Sequence, residues 1–129
     1  MPNRDQDWFK QAEHDLQLAE ISRQTNNHDW ACFAAHQAAE KAVKSVHLHQ
    51  RQEAWGHSIR KLLEDLAEIV EVAEDLLEKA NVLDGFYIPP RYPNSHPEGA
   101  PFEHFGSLQS NMAITYAREI LQFTRSQMA

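Results

Sequence analysis

The sequence predicts an all-α domain, an antiparallel (up-and-down) four-helix bundle with one additional short helix. Three observations predict it. Apolar residues recur at spacings of three and four through most of the chain, and no stretch alternates with the two-residue period of a strand. The links between these periodic stretches are short, which favours antiparallel neighbours. Pro89, Pro90, Pro93, Pro97 and Pro101 gather in one segment, so the non-helical chain is confined to one place. At 129 residues the chain is expected to form a single domain over 1–129, large enough to bury a real core.

The first helix is expected over Asp5 to Gln24. Phe9, Ala12, Leu16 and Ala19 make its apolar stripe, and Asp5 and Asp7 suit the positive end of the helix dipole. Thr25-Asn26-Asn27 breaks the pattern, with Asn27 or Asp29 able to cap the next helix. The second helix is expected over Asp29 to Gln50. Ala31, Ala35, Ala38, Ala42 and Val46 form one stripe, and Cys32, Ala39, Val43 and Val46 a neighbouring one. A broad face of small residues implies a central helix that its neighbours approach closely. Glu40 and Lys44 make a favourable i,i+4 pair.

After a link from Arg51 to Gly56, a shorter third helix carries Ile59, Leu62, Leu63 and Leu66. The fourth is expected from Ala73 to Tyr87, with Leu76, Ala80, Leu83 and Tyr87 inward and Gly85 a mild weakness. A loop from Ile88 to Phe105 comes next. The last helix is expected from Gly106 to Gln127, with Met112, Tyr116, Ile120 and Phe123 inward. Long irregular loops in compact domains are often functional.

The net charge of −7 argues against a broad electrostatic footprint on duplex DNA, so any nucleic-acid contact must be local. The acids from Glu64 to Glu78 read as a solvated helix face. A lone cysteine, Cys32, cannot form an internal disulfide and is expected to pack as a small core residue. It points to a reducing compartment, and the protein is expected to be cytoplasmic. No apolar run is long enough for a membrane span, and the first residues lack the apolar core of a signal peptide. Of the eight histidines, His47 and His49 are two apart and do not face one another on a helix. No bound metal and no cofactor are expected. Trp8, Trp30 and Trp55 read as core or interface anchors.

Three blocks carry a family resemblance. The second helix reads Ala35-His36-Gln37-Ala38-Ala39-Glu40-Lys41-Ala42-Val43-Lys44. The third opens Gly56-His57-Ser58-Ile59-Arg60-Lys61-Leu62-Leu63, and the loop reads Tyr87-Ile88-Pro89-Pro90-Arg91-Tyr92-Pro93. Together, in this order, they resemble the HEPN domain family (higher eukaryotes and prokaryotes nucleotide-binding) over nearly the whole chain. The resemblance implies a helical bundle that often dimerises. It implies a nucleotide- or RNA-engaging component of a toxin–antitoxin type module, paired with a minimal nucleotidyltransferase. Some members are metal-independent endoribonucleases with an Arg-x(4–6)-His motif, which Arg91 and His96 match. Others are non-catalytic modules for dimerisation or partner binding.

The loop residues carry the chemistry. Arg91 can fork two N–H groups onto a phosphate, or tie the loop to a carboxylate or carbonyl of the bundle. His96 can move a proton near neutral pH, or stand as an exposed loop histidine. Pro93 and Pro97 push the preceding residues out of helical geometry, so the pair is not expected to share a helix face. Tyr87 is expected in the core, and Tyr92 is a candidate to stack on a base. Gln37, Lys41 and Lys44 share a polar strip of the second helix and are weaker candidates to line a cleft with the loop. Nucleotide or single-stranded RNA is the expected ligand, with neither duplex DNA nor a membrane as partner.

Overall fold

The computed structural model describes residues 2–129. Its helices are α1 (Asp5–Gln24), α2 (His28–His49), α3 (Ile59–Leu66), α4 (Glu74–Asp84), α5 (Pro101–His104) and α6 (Ser107–Gln127). The described residues contain no strand. The expected long loop holds two short elements, a 3-10 turn at Pro93–Ser95 and the single-turn α5. No helix among the described residues is long and apolar enough to cross a membrane.

The centre of the bundle is α2, which packs against α1, α3, α4, α5 and α6. Its alanines at 31, 35, 38, 39 and 42 are fully buried, and their small side chains let neighbouring backbones approach. Both long N-terminal helices end in the same way. After α1 the N–H of Asn27 reaches the Ser22 carbonyl (2.7 Å) and that of Asn26 reaches Arg23 (3.1 Å), with Asn26 at φ 62°. After α2 the N–H of Gln52 reaches the His47 carbonyl (2.8 Å) and that of Arg51 reaches Leu48 (2.9 Å), with Arg51 at φ 60°. These are Schellman stops, which satisfy otherwise orphaned carbonyls and turn the chain sharply. Asn27 occupies the position before α2, but its side chain bonds back to Thr25 and leaves the helix N–H groups alone.

An eight-residue helix is unstable in isolation. Ile59, Leu62, Leu63 and Leu66 on α3 are all buried, worth roughly 2 kcal/mol each. Two buried histidines of α2 hold the same segment: Nε2–H of His36 donates to the His57 carbonyl (3.1 Å), and that of His47 to the Leu62 carbonyl (2.9 Å). At the N-terminus of α3, Ser58 accepts from the Lys61 N–H (3.2 Å), and the Asp84 carboxylate accepts from Ile59 (2.6 Å) and Arg60 (3.2 Å). Asp84 therefore clips the end of α4 to the start of α3.

That clip lies where α4 stops, three residues before the expected end at Tyr87. Gly85 weakens the helix there, and Pro89 and Pro90 have no N–H to offer the carbonyls of Gly85 and Phe86. Tyr87 consequently belongs to the following turn and is half-buried, outside the core expected for it. The buried face of α4 carries Leu77, Ala80 and Leu83. On α6 the deepest positions are Ala113, Ala117, Ile120 and Thr124, while Met112, Tyr116 and Phe123 flank them half-buried. None of the three tryptophans is a core anchor: Trp8 and Trp30 sit at the surface and Trp55 is 78% exposed.

Candidate functional site

The proline segment is pinned from below. Phe86 and Pro90 are buried, and a turn closes with the Arg91 N–H on the Ile88 carbonyl (2.9 Å). This aims Arg91 back over α2. Its guanidinium carbon lies 4.2 Å from the ring centre of Phe33, 4.6 Å from that of Tyr87 and 5.2 Å from that of Tyr92. Nε donates to the Tyr87 carbonyl at 2.7 Å. No other group among the described residues accepts a hydrogen bond or forms an ion pair with this side chain. Three aromatic rings and one backbone bond thus hold the guanidinium in place and leave its Nη donors unpaired among the described residues. The half-exposed Tyr92 ring stands beside it.

Phe33 has a second role. It walls a surface groove of about 590 Å³ between α1 and α2, together with Leu18, Trp30, Gln37, Lys41 and Asp15. Trp30 and Phe33 meet edge to face, with ring centres 6.0 Å apart. The groove is predominantly apolar with a few polar groups at its rim, the usual character of a small-molecule site. Gln37 and Lys41 line it, and Lys41 is held by Asp15 at 2.6 Å. Lys44 does not line it. Its ammonium pairs with the buried Glu40 (3.1 Å) and sits 5.9 Å from the Trp8 ring centre. Phe33 lines the groove and also faces Arg91, so among the described residues it is the wall that groove and loop are seen to share, and Lys44 stands outside the cleft expected for Gln37, Lys41 and Lys44.

His96 follows the 3-10 turn and is held separately. Its Nε2–H donates to the Pro89 carbonyl (2.7 Å), and its ring stacks face to face on His104 at 4.2 Å. His104 in turn donates to the Glu98 carbonyl at 2.6 Å. No hydrogen bond or ring contact joins Arg91 to His96 among the described residues.

A third arrangement, on α2 and the turn before α3, lies beside Arg91. Gly56 takes φ +88°, a left-handed turn that suits glycine and delivers His57 to the bundle. The Glu40 carboxylate accepts from Nδ1 of His57 (3.0 Å) on one oxygen and from Lys44 on the other. The His57 ring lies nearly flat on Tyr87, 4.5 Å between centres and 17° between planes. Burial pushes the neighbouring His36 imidazole below its ordinary range, against the pull of the Glu40 charge. His36 Nδ1 is buried without a partner, which fits a neutral ring donating through Nε2.

Sequence reasoning named Arg91, Tyr92, His96, Gln37, Lys41 and Lys44 as candidates, and it did not weigh Phe33, Trp30 or the Glu40–His57 pair as site residues. Trp30, Phe33, Gln37 and Lys41 are spaced three, four and four, one face of α2, and that signal could have marked the groove wall. Among the described residues no three His, Cys, Asp or Glu side chains gather as a metal cluster.

Comparison with known proteins matches residues 6–127 to the model described as HEPN domain. The fold is similar to the crystal structure of TT1696 from Thermus thermophilus, with TM-score 0.95 and 49% identity over 98% of this chain and 99% of that one. It is similar to ST0689, described as an archaeal HEPN homologue, with TM-score 0.84 and 37% identity over the full length of both chains. It also matches a HEPN domain protein (tm0613) from Thermotoga maritima, with TM-score 0.76 and 30% identity over 93% of this chain and 95% of that one. No curated protein matches.

Proposed function

Because the chain belongs to the HEPN domain family, we propose that it engages a nucleotide or single-stranded RNA as the HEPN component of a toxin–antitoxin type module. Its partners in this reading are a second copy of itself and a minimal nucleotidyltransferase, and the support for both is the family resemblance. The observation that carries the ligand is Arg91. A guanidinium set among the rings of Phe33, Tyr87 and Tyr92, with Nε already satisfied and both Nη groups unpaired, is prepared for the oxygens of one phosphate. Its wall partner Phe33 continues into a groove where Trp30 offers an aromatic face to a base. Tyr92 is a second such face. A chain of net charge −7 is suited to this local contact rather than to a long phosphate track.

The test is titration of a fluorescent single-stranded RNA of a few nucleotides into wild type, Arg91→Ala and Trp30→Ala. Arg91→Ala removes charge-assisted hydrogen bonds worth about 1.5–3 kcal/mol, so the Kd rises by roughly 10–100-fold. Trp30→Ala costs about 1–3 kcal/mol if a base stacks there. Unchanged affinity in Arg91→Ala would remove the reading and leave a dimerisation or partner-binding module.

A second reading has one observation in its favour. The Pro89 carbonyl fixes the His96 proton on Nε2, so Nδ1 carries the lone pair of the neutral ring and is available as a base. In that reading Arg91 and His96 form a metal-independent endoribonuclease, and RNA turnover in chelator-treated buffer is lost in both Arg91→Ala and His96→Ala. Turnover that persists in both rules it out.

A further inference from the structure

Glu40 is a buried carboxylate in the middle of an alanine-rich helix, only 4% exposed. A charge in that position is costly unless each oxygen is occupied. Lys44 occupies Oε2 at 3.1 Å and Nδ1 of His57 occupies Oε1 at 3.0 Å. A carboxylate only accepts, so the proton sits on Nδ1 and the neutral imidazole carries its lone pair on Nε2. Nε2 has no partner among the described residues, and the side chain is 55% exposed. This is the orientation logic of a carboxylate–histidine pair in acid–base catalysis: one nitrogen fixed from behind, the other presented outward.

The ring is also placed. It stacks on Tyr87, and the Arg91 guanidinium lies over the same Tyr87 ring. One aromatic side chain therefore spaces an outward-facing base and an unpaired anion holder. Among the described residues His96 has no such carboxylate behind it. Its Nε2 is spent on the Pro89 carbonyl and its face on His104.

No hydroxyl or thiol among the described residues hydrogen-bonds to His57, so the pair has no protein nucleophile to activate. The substrate must bring its own. A ribonucleotide phosphodiester does, in the 2′-hydroxyl adjacent to its phosphorus, whereas DNA does not. We propose that His57, positioned by Glu40, is the proton-transfer group of an RNA-cleaving site whose phosphate is held by Arg91; this rests on the Arg91 reading above. The 2′-hydroxyl proton passes to Nε2 of His57 as the O2′–P bond forms. The P–O5′ bond breaks, and the leaving 5′-oxygen takes a proton from water. The products are a 2′,3′-cyclic phosphate and a 5′-hydroxyl, and His57 returns its proton to solvent. No metal, oxidant or second substrate enters the balance.

The experiment uses the full chain, a short single-stranded RNA in chelator-treated buffer, and the all-deoxy oligonucleotide of the same sequence as an uncleavable ligand. His57→Ala is the main variant, since its ring is half-exposed and its backbone contact to His36 is retained. Cleavage is expected to fall by about 100-fold or more, to recover in part with added imidazole, and to leave affinity for the deoxy ligand within about twofold of wild type. Glu40→Gln is expected to lower the cleavage rate constant while leaving affinity for the deoxy ligand within about twofold of wild type, a split that a merely structural role would not give. The His57 ring faces Glu40, with Lys44 on the other carboxylate oxygen, and the Tyr87 ring. Wild type that binds the deoxy ligand yet cleaves no RNA overturns the proposal and spares the binding reading. Full cleavage by His57→Ala, with loss in His96→Ala, overturns it in favour of the loop histidine. Wild type that binds neither oligonucleotide removes the binding reading and this inference with it.

Discussion

Arg91 depends on being an arginine rather than on being a cation. Its guanidinium carbon lies within about 5 Å of three aromatic ring centres and its Nε bonds to the Tyr87 carbonyl. A lysine keeps the charge but loses the fork and the stacking surface. Arg91→Lys is therefore expected to weaken oligonucleotide binding by about tenfold, read by the same titration. Equal affinity would mean that only charge matters. His36 gives a pH prediction. Its folded-state pKa is held below the ordinary 6.5 by burial, so on acidification the unfolded chain takes up the proton first. The stability contributed by the neutral ring is complete above pH 6.5 and is lost as pH falls through the lower folded value. The urea midpoint should fall between pH 7 and pH 5, and fall less steeply in His36→Gln; parallel slopes would acquit His36. Burial also pushes the Cys32 thiol up to about 12, so it should resist alkylation in the native protein at pH 8 and react only on unfolding. At this scale the proline loop marked Arg91 and Tyr92 as candidates in the sequence. The sequence hid the Glu40–His57 pair, whose 17-residue separation closes only because α3 folds back onto α2.

The elements show why some boundaries are legible and others are not. The span expected for α1 agrees with the structure at both ends, because its apolar stripe and the Thr25-Asn26-Asn27 break are local signals. Gly85, Pro89 and Pro90 are local signals for the earlier end of α4, whereas the tie of Asp84 to the first amides of α3 is a long-range contact that the sequence does not show. Asp84→Ala leaves those N–H groups without a carboxylate and should destabilise the protein by about 1–3 kcal/mol. Because the same clip sets the approach of His57 to Tyr87, the variant should also perturb the aromatic resonances around Arg91. A stability within about 0.5 kcal/mol of wild type would contradict the clip. Arg51 tests the other stop. It holds a left-handed conformation at φ 60° that costs a side-chain-bearing residue about 1 kcal/mol, so Arg51→Gly should stabilise by that order in urea unfolding. A lower midpoint would mean that the arginine makes compensating contacts.

The whole molecule is an acidic helical bundle in which Arg91, set among three aromatic rings, lies beside an apolar groove. The bundle followed from periodicity and short links, and the identity of the central helix from its alanines. The relation between groove and loop did not follow, since it runs through the single side chain of Phe33, shared by both. One phosphate contact also sets an expectation for ionic strength. The logarithm of the affinity for single-stranded RNA should fall with the logarithm of salt with a slope of about −0.7, and the slope should approach zero in Arg91→Ala. A slope several times steeper would call for a phosphate track that a chain of net charge −7 does not present. The most direct measurement is a crystal structure of the protein with an uncleavable dinucleotide. The account predicts a phosphate within hydrogen-bond distance of the Arg91 Nη atoms and a base against Phe33, Trp30 or Tyr92. A dinucleotide bound elsewhere, with the Arg91 guanidinium still resting unpaired on its three rings, would contradict it.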